Sequence, residues 1–176
     1  MSLEAVIACD RERLVGAGDG LPWHCPADLA HFRALTWGHP LVMGRRTFDG
    51  IVRRRGSPLP GRAHWVLTHR PLPAWEAVHG LARLDPELWA GETVWFAVGG
   101  PALWSQCLPW LDRLWLSLIP GVHAGDVTLP DLGAGWTVER TEEREEFQLL
   151  VLVRDPAAHF DWQAFAPACI GDSVPP

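Results

Sequence analysis

Lysine and tyrosine are both absent from this chain, so its 15 fixed positive charges are all arginines. Arginine binds phosphate and carboxylate through a planar fork that lysine lacks. Positive charge is also in deficit overall: the formal net charge of −6 excludes a general nucleic-acid surface, which needs a basic stripe. The four cysteines, Cys9, Cys25, Cys107 and Cys169, form no CxxC pair. With no secretory leader and no membrane-length apolar run, the expectation is a reduced cytoplasmic protein that meets no membrane. The 8 histidines make no HExxH or other ligand spacing, so no metal site is expected. No internal repeat and no linker divides the chain, and GxGxxG is missing, which excludes the ordinary dinucleotide-binding fingerprint.

What is present suits one globular domain: 176 residues, 48% hydrophobic and 20% charged. Short apolar runs read as strands at 3–9, 40–43, 64–68, 93–98, 113–119, 136–140 and 147–153. Helices are expected over 26–37, from Thr47, from Asp85-Pro86-Glu87, and over 101–110. Alternation of strand and helix followed by strands predicts an α/β sheet, largely parallel, closed by an antiparallel C-terminal hairpin. Residues 1–155 form the expected domain and 156–176 a peripheral tail, which Phe160, Trp162 and Phe165 could dock. The acidic run Glu142-Glu143, Glu145-Glu146 reads as a solvated strand or turn face.

Two strand-to-helix corners suit an anion. In PLVMGRRTF (40–48) a strand ends at Gly44 and Arg45-Arg46 open the next helix. In TVWFAVGGPALW (93–104) a strand ends at Gly99-Gly100, and Pro101 sits at a favourable first helical position. Glycine admits close backbone approach, and a helix N-terminus offers unpaired amides and partial positive charge. Alone, the Gly-Gly corner is more commonly just a tight turn and Arg45-Arg46 more often a solvated pair. Together with Thr68-His69-Arg70, placed by the pattern at the same sheet edge, they fit a diphosphate with a further phosphate nearby. The segment 10–20, with three glycines, reads as a lid. In GLPWHCPADLAHF (20–32) a carboxylate, Asp28, stands among apolar groups. It serves either as an acidic residue favoured in the first turn of a helix or as a buried functional acid.

Seven ordered pieces, IACDRERLVGAGDGLPW, PADLAHFRALT, VMGRRTF, PLPGR, VLTHR, VGG and the GD at 125–126, resemble the dihydrofolate reductase family through most of residues 3–154. The resemblance implies a central eight-stranded sheet with four flanking helices, NADPH as hydride donor, dihydrofolate as substrate, diaminopyrimidine antifolates as inhibitors, and a monomer. It casts Asp28, Trp23 and Leu21 as the catalytic group, Asp28 holding the pterin, Ser117 bonded to that carboxylate, and Trp23 organising a water. Val6, Ile7, Leu29, Phe32, Ile51, Leu59 and Val98 would line the substrate pocket, and Arg62 would clamp the substrate's α-carboxylate. For the cofactor it implies Ala8 at the carboxamide, with Val15, Gly16, Leu67, Val98 and Trp104 along the cavity. Gly44, Arg45, Arg46, Thr47, Gly99, Gly100, Pro101, Ala102 and Leu103 would surround the diphosphate, and Arg45, Thr68 and His69 the 2′-phosphate. VRRRGSPLPGR is longer than its family counterpart; Arg53, Arg54 and Arg55 reach a substrate tail or face solvent, the latter being the simpler reading. The alternatives are the related pyrimidine reductase of riboflavin biosynthesis, which lacks the LPW…PxDL segment, and a non-catalytic binder of folate or NADPH.

Overall fold

The computed structural model describes residues 2–91, 93–158 and 160–162; Phe165 and Cys169 lie outside them. The chain runs β1 (Ser2–Asp10), β2 (Leu14–Gly16), α1 (Pro26–Thr36), β3 (Leu41–Gly44), α2 (Arg45–Arg55), β4 (His64–Leu67), β5 (Val78–Leu81) and β6 (Val94–Ala97). It continues through α3 (Pro101–Cys107), β7 (Leu111–Ile119), β8 (Val127–Thr128), β9 (Trp136–Glu143) and β10 (Gln148–Arg154). Eight strands form one sheet in the order β5-β4-β3-β6-β1-β7-β10-β9, and β2 pairs with β8 separately. All pairings are parallel up to β7, and β10 runs antiparallel to both β7 and β9.

β1 is buried on both faces and apolar apart from Ser2, Glu4 and Asp10, as a parallel strand covered on both sides requires. Leu3, Ala5, Ile7 and Cys9 point into one core with Leu114, Leu116 and Trp136, while Val6 joins Leu41, Met43, Phe48 and Phe96 on the other side. The tail packs on the first core through Phe160 and Trp162, and Gly135 N–H donates to the Ala158 carbonyl at 2.9 Å. Among the described residues, no helix is long and apolar enough to cross a membrane.

Several expected boundaries shift for physical reasons. Among the described residues three α-helices flank the sheet, where four were expected. The Asp85-Pro86-Glu87 segment makes a single 3₁₀ turn over Pro86–Trp89, capped by the Asp85 carboxylate on the Glu87 amide at 3.1 Å, and ends once Trp89 is buried. The third helix stops at Cys107, two residues before Pro109, whose ring cannot continue an α-helix. α2 starts at Arg45, directly at the strand end, and closes at Gly56, whose left-handed φ of 77° lets its amide reach the Val52 carbonyl at 2.7 Å. The small β2/β8 sheet and β5 carry too few apolar residues for their strand character to stand out in the sequence.

β4 opens with His64, which is buried; its Nε2 accepts from the Leu59 amide at 3.2 Å and so fixes the PLPG loop before Arg62. Burial, reinforced by the Arg62 charge, holds its pKa down at about 4 against an ordinary 6.5. The folded state therefore resists a proton that the unfolded chain takes up, and stability drains away as pH falls from 6.5 toward 4. Urea unfolding at pH 7.5 and pH 5 should show the wild type losing about 2 kcal/mol more than His64→Gln across that interval.

Candidate active site

The C-terminal ends of β3 and β6 meet edge to edge: the Gly44 amide donates to the Gly99 carbonyl at 3.0 Å. Gly100 follows with φ 99°, and Pro101 starts α3. A Cβ on Gly99 would come within 2.8 Å of the Thr47 side chain, so only glycine fits there. Around this junction lies a cavity of about 440 Å³ lined by Val6, Ile7, Ala8, Val15, Gly16 and Leu21, by Gly44 through Thr47, by Leu67, and by Val98 through Trp104. The amides at the starts of α2 and α3 and the side chains of Arg45 and Arg46 give it a positive rim. This combination of a glycine cradle and cationic edge fits a dinucleotide diphosphate.

Next to it, Arg45, Arg46, Thr68, His69 and Arg70 line a second cavity of about 420 Å³, together with Asp19, Asp49 and Arg53. Thr68 Oγ1 accepts from the Arg70 amide at 3.0 Å, which folds the loop after β4 toward the arginines. Arg45 is fixed before any ligand arrives: its Nε donates to both Asp49 oxygens at 2.8 and 2.9 Å, and its Nη1 to the Pro71 carbonyl at 2.9 Å. Sequence reasoning missed Asp49, although its spacing of four residues from Arg45 on a helix signals the pair.

On the other side of β1, α1 buries two polar residues, Asp28 and Thr36. Asp28 is 6% exposed. Burial raises its pKa, and Ser117, itself buried, pulls it partly back. The Ser117 hydroxyl completes no hydrogen bond of standard geometry, so its hold on the carboxylate is loose. Phe32, Ile51, Leu59 and Val98 pack around Val6 beside this acid. Trp23 is partly buried on a neighbouring cluster, and its Nε1 is buried without a partner. Arg62 is buried, donates to Thr36 Oγ1 at 3.0 Å and to the Pro60 carbonyl at 3.1 Å, and lies over the rings of Phe32 and Trp37. Burial, with Arg33 and Arg55 nearby, lowers its pKa. Thr36 and Trp37, which shape this clamp, were not singled out in the sequence. Leu29 is 49% exposed and lines neither cavity. Leu21 lines the first cavity while remaining 44% exposed.

The lid is more constrained than its glycines imply. Its middle, β2, pairs with β8, and the Gly18 amide donates to Asp126 at 2.9 Å. Two of the three extra arginines are not simply solvated, while Arg55 is exposed. Arg53 pairs with the Asp19 carboxylate and Arg54 donates to the Asp19 carbonyl. Arg46 lies 3.8 Å from Asp19 and 3.9 Å from Asp126. The end of α2 thus grips the lid at Asp19.

An open, mostly parallel sheet with a glycine-cradled cavity on one side of its central strand and a buried acid on the other fits a protein that binds a nucleotide beside an acid. A dihydrofolate reductase family model matches residues 2–151, and the chain belongs to that family. It is 40% identical over 139 residues to dihydrofolate reductase type 3 of Salmonella typhimurium, covering 77% of this chain and 83% of that one. It is 33% identical over 141 residues to dihydrofolate reductase of Bacillus subtilis, covering 78% and 82% respectively. A solved dihydrofolate reductase from Enterococcus faecalis, complexed with NADP(H) and the compound RAB-propyl, superposes with a TM-score of 0.75 at 28% identity, over 87% of this chain and 96% of that one.

If Arg53 and Arg54 hold the lid, replacing both with alanine should speed NADPH dissociation about two- to ten-fold, as expected for exposed ion pairs. Stopped-flow competition, run at low and high salt, measures this; raised salt should erase the difference.

Proposed function

We propose that this chain reduces 7,8-dihydrofolate to tetrahydrofolate with NADPH, and that Asp28 anchors the pterin ring. The carrying observation is how the buried carboxylates are engaged. Glu4 is held by the Trp115 indole at 2.6 Å. Asp10 accepts backbone amides of Glu12, Leu14 and His123, each at 2.9 Å. Asp28 is left with Ser117. A buried acid without a structural commitment is available to a ligand. The pterin's N3 and 2-amino groups present two adjacent donors that match one carboxylate.

NADPH, when bound, supplies the hydride. The cavity beside Ala8 and the two glycine corners fit its nicotinamide and diphosphate, with Trp104 against the former. Arg45, Thr68 and His69 take the 2′-phosphate, which selects NADPH over NADH. The chain's own task is to orient the ring, exclude bulk water and deliver one proton to N5. Phe32, Ile51 and Leu59 provide the apolar wall. Trp23 Nε1–H, buried and unpartnered, is suited to hold the water that protonates N5. Asp28, whose raised pKa reflects its dry site, polarises the ring toward that protonation. Arg62 has part of its guanidinium fixed by Thr36 and Pro60 and the rest available to the substrate's carboxylate. The enzyme on this reading is a cytoplasmic monomer.

Asp28→Asn should bind NADPH normally yet transfer hydride to dihydrofolate about two to four orders of magnitude more slowly. Loss of 340 nm absorbance measures this, and near wild-type turnover at neutral pH would sink the assignment. NADPH and antifolate binding by the unaltered chain without turnover would favour the non-catalytic binder, and turnover of a ribosylamino-pyrimidine alone the riboflavin enzyme. Arg45→Gln should raise KM for NADPH about ten- to a hundred-fold while leaving that for NADH nearly unchanged, since a charge-assisted bond to phosphate is lost.

A further inference from the structure

The helix carrying Asp28 is not capped by its own sequence. Cys25 occupies the N-cap position of α1 and supplies no side-chain hydrogen bond to the first turn by the usual geometry. Pro26 has no amide to satisfy, and the Leu29 amide bonds the Cys25 carbonyl at 3.2 Å. That leaves Ala27 and Asp28. The Ala27 amide donates to Glu146 Oε2 at 2.8 Å, across 119 residues of chain. The Cys25 thiol lies 3.8 Å from the same oxygen. Glu146 therefore reaches both the amide before Asp28 and the thiol beneath it.

The turn that presents Glu146 is short and anchored. The Arg144 amide closes onto the Phe147 carbonyl at 2.9 Å, and Phe147 is buried with its ring 5.9 Å from that of His31, one turn after Asp28 on α1. Apolar contact at this end comes from buried Cys25 and from Ala27, which pack in one cluster with Phe147 of the hairpin, while Leu29 on the outer side is half exposed. At the far end, Arg62 ties Thr36. The first turn thus meets the β9–β10 turn through apolar contact with Phe147 and through one directional polar contact, the Glu146 carboxylate on the Ala27 amide.

We propose that Glu146 is a positioning residue for Asp28, holding the first turn of α1 against the hairpin so that the carboxylate keeps one depth and direction in the substrate pocket. The proposal rests on the reading of Asp28 as the pterin anchor. A carboxylate at this place also suits the positive end of the helix. Its role differs from that of an ordinary cap because the neighbouring residue is the reacting site's acid.

The test compares Glu146→Ala, Glu146→Gln and Asp28→Asn for single-turnover hydride transfer, affinity for a diaminopyrimidine antifolate, affinity for NADPH, and urea midpoint. Loss of a cap corresponds to about a 3- to 30-fold effect. Glu146→Ala should slow transfer and weaken the antifolate by that order, with NADPH affinity within about two-fold. Glu146→Gln should restore both, because its amide oxygen still accepts from Ala27. A Glu146→Ala protein that loses only urea stability, loses NADPH affinity in parallel, or is not rescued by glutamine overturns the proposal. Full transfer by Asp28→Asn removes the reading of Asp28 and the proposal with it. A dead Asp28→Asn beside an unaffected Glu146→Ala removes the proposal alone.

Discussion

The meeting of two strand ends, Gly44 N–H on the Gly99 carbonyl, sets the positions of everything around the nucleotide cavity. It places the starts of α2 and α3 side by side, so that two sets of free helix amides converge on one space. The absence of a side chain at Gly99 lets Thr47 at the start of α2 pack against it, where a Cβ would come within 2.8 Å. Parallel strand order does the rest: β6 sits between β3 and β1, which puts Ala8 of the central strand at the end of the same cavity. On the same face of that strand, two residues before Ala8, Val6 lines the cavity and also packs in the cluster that holds Phe32 and Leu35 of α1, which joins the cofactor side to the acid side through a single strand.

The arginines divide into different trades. Arg45 is oriented by Asp49 and Pro71, Arg62 by Thr36, Pro60 and two aromatic rings, and Arg53 and Arg54 by the lid. In a chain without lysine, each cationic task falls to a planar group, which works best when its plane is set by neighbours. These second partners account for much of the polar structure around the site.

The glycine corners, the basic cluster and Asp28 were legible in the sequence because each depends on residue types with few substitutes at a fixed place along the chain. The sheet was legible for a similar reason, since doubly covered strands are continuous apolar runs. What escaped was set by distance in sequence. Nothing near Glu146 announces that it meets Ala27, and the acidic run around it has the composition of a solvated face; the fold separates one of its members from the others. Asp19 and Arg53 meet across the lid for the same reason, and the arginines of α2 look like a solvated helix end until the lid is laid against them. The helix expected from Asp85 is a 3₁₀ turn through local competition, in which a buried Trp89 and the Asp85 cap satisfied the segment before a second turn could form.

The clamp on Arg45 has a thermodynamic consequence. A free arginine side chain loses about 2 kcal/mol of rotamer entropy when it is ordered. Here Asp49 and the Pro71 carbonyl order it during folding, so that loss is charged to the stability of the protein rather than to ligand binding. A phosphate arriving at this guanidinium meets a group already immobile, and the temperature dependence of its affinity should carry little of the ordering entropy that a flexible cation would impose.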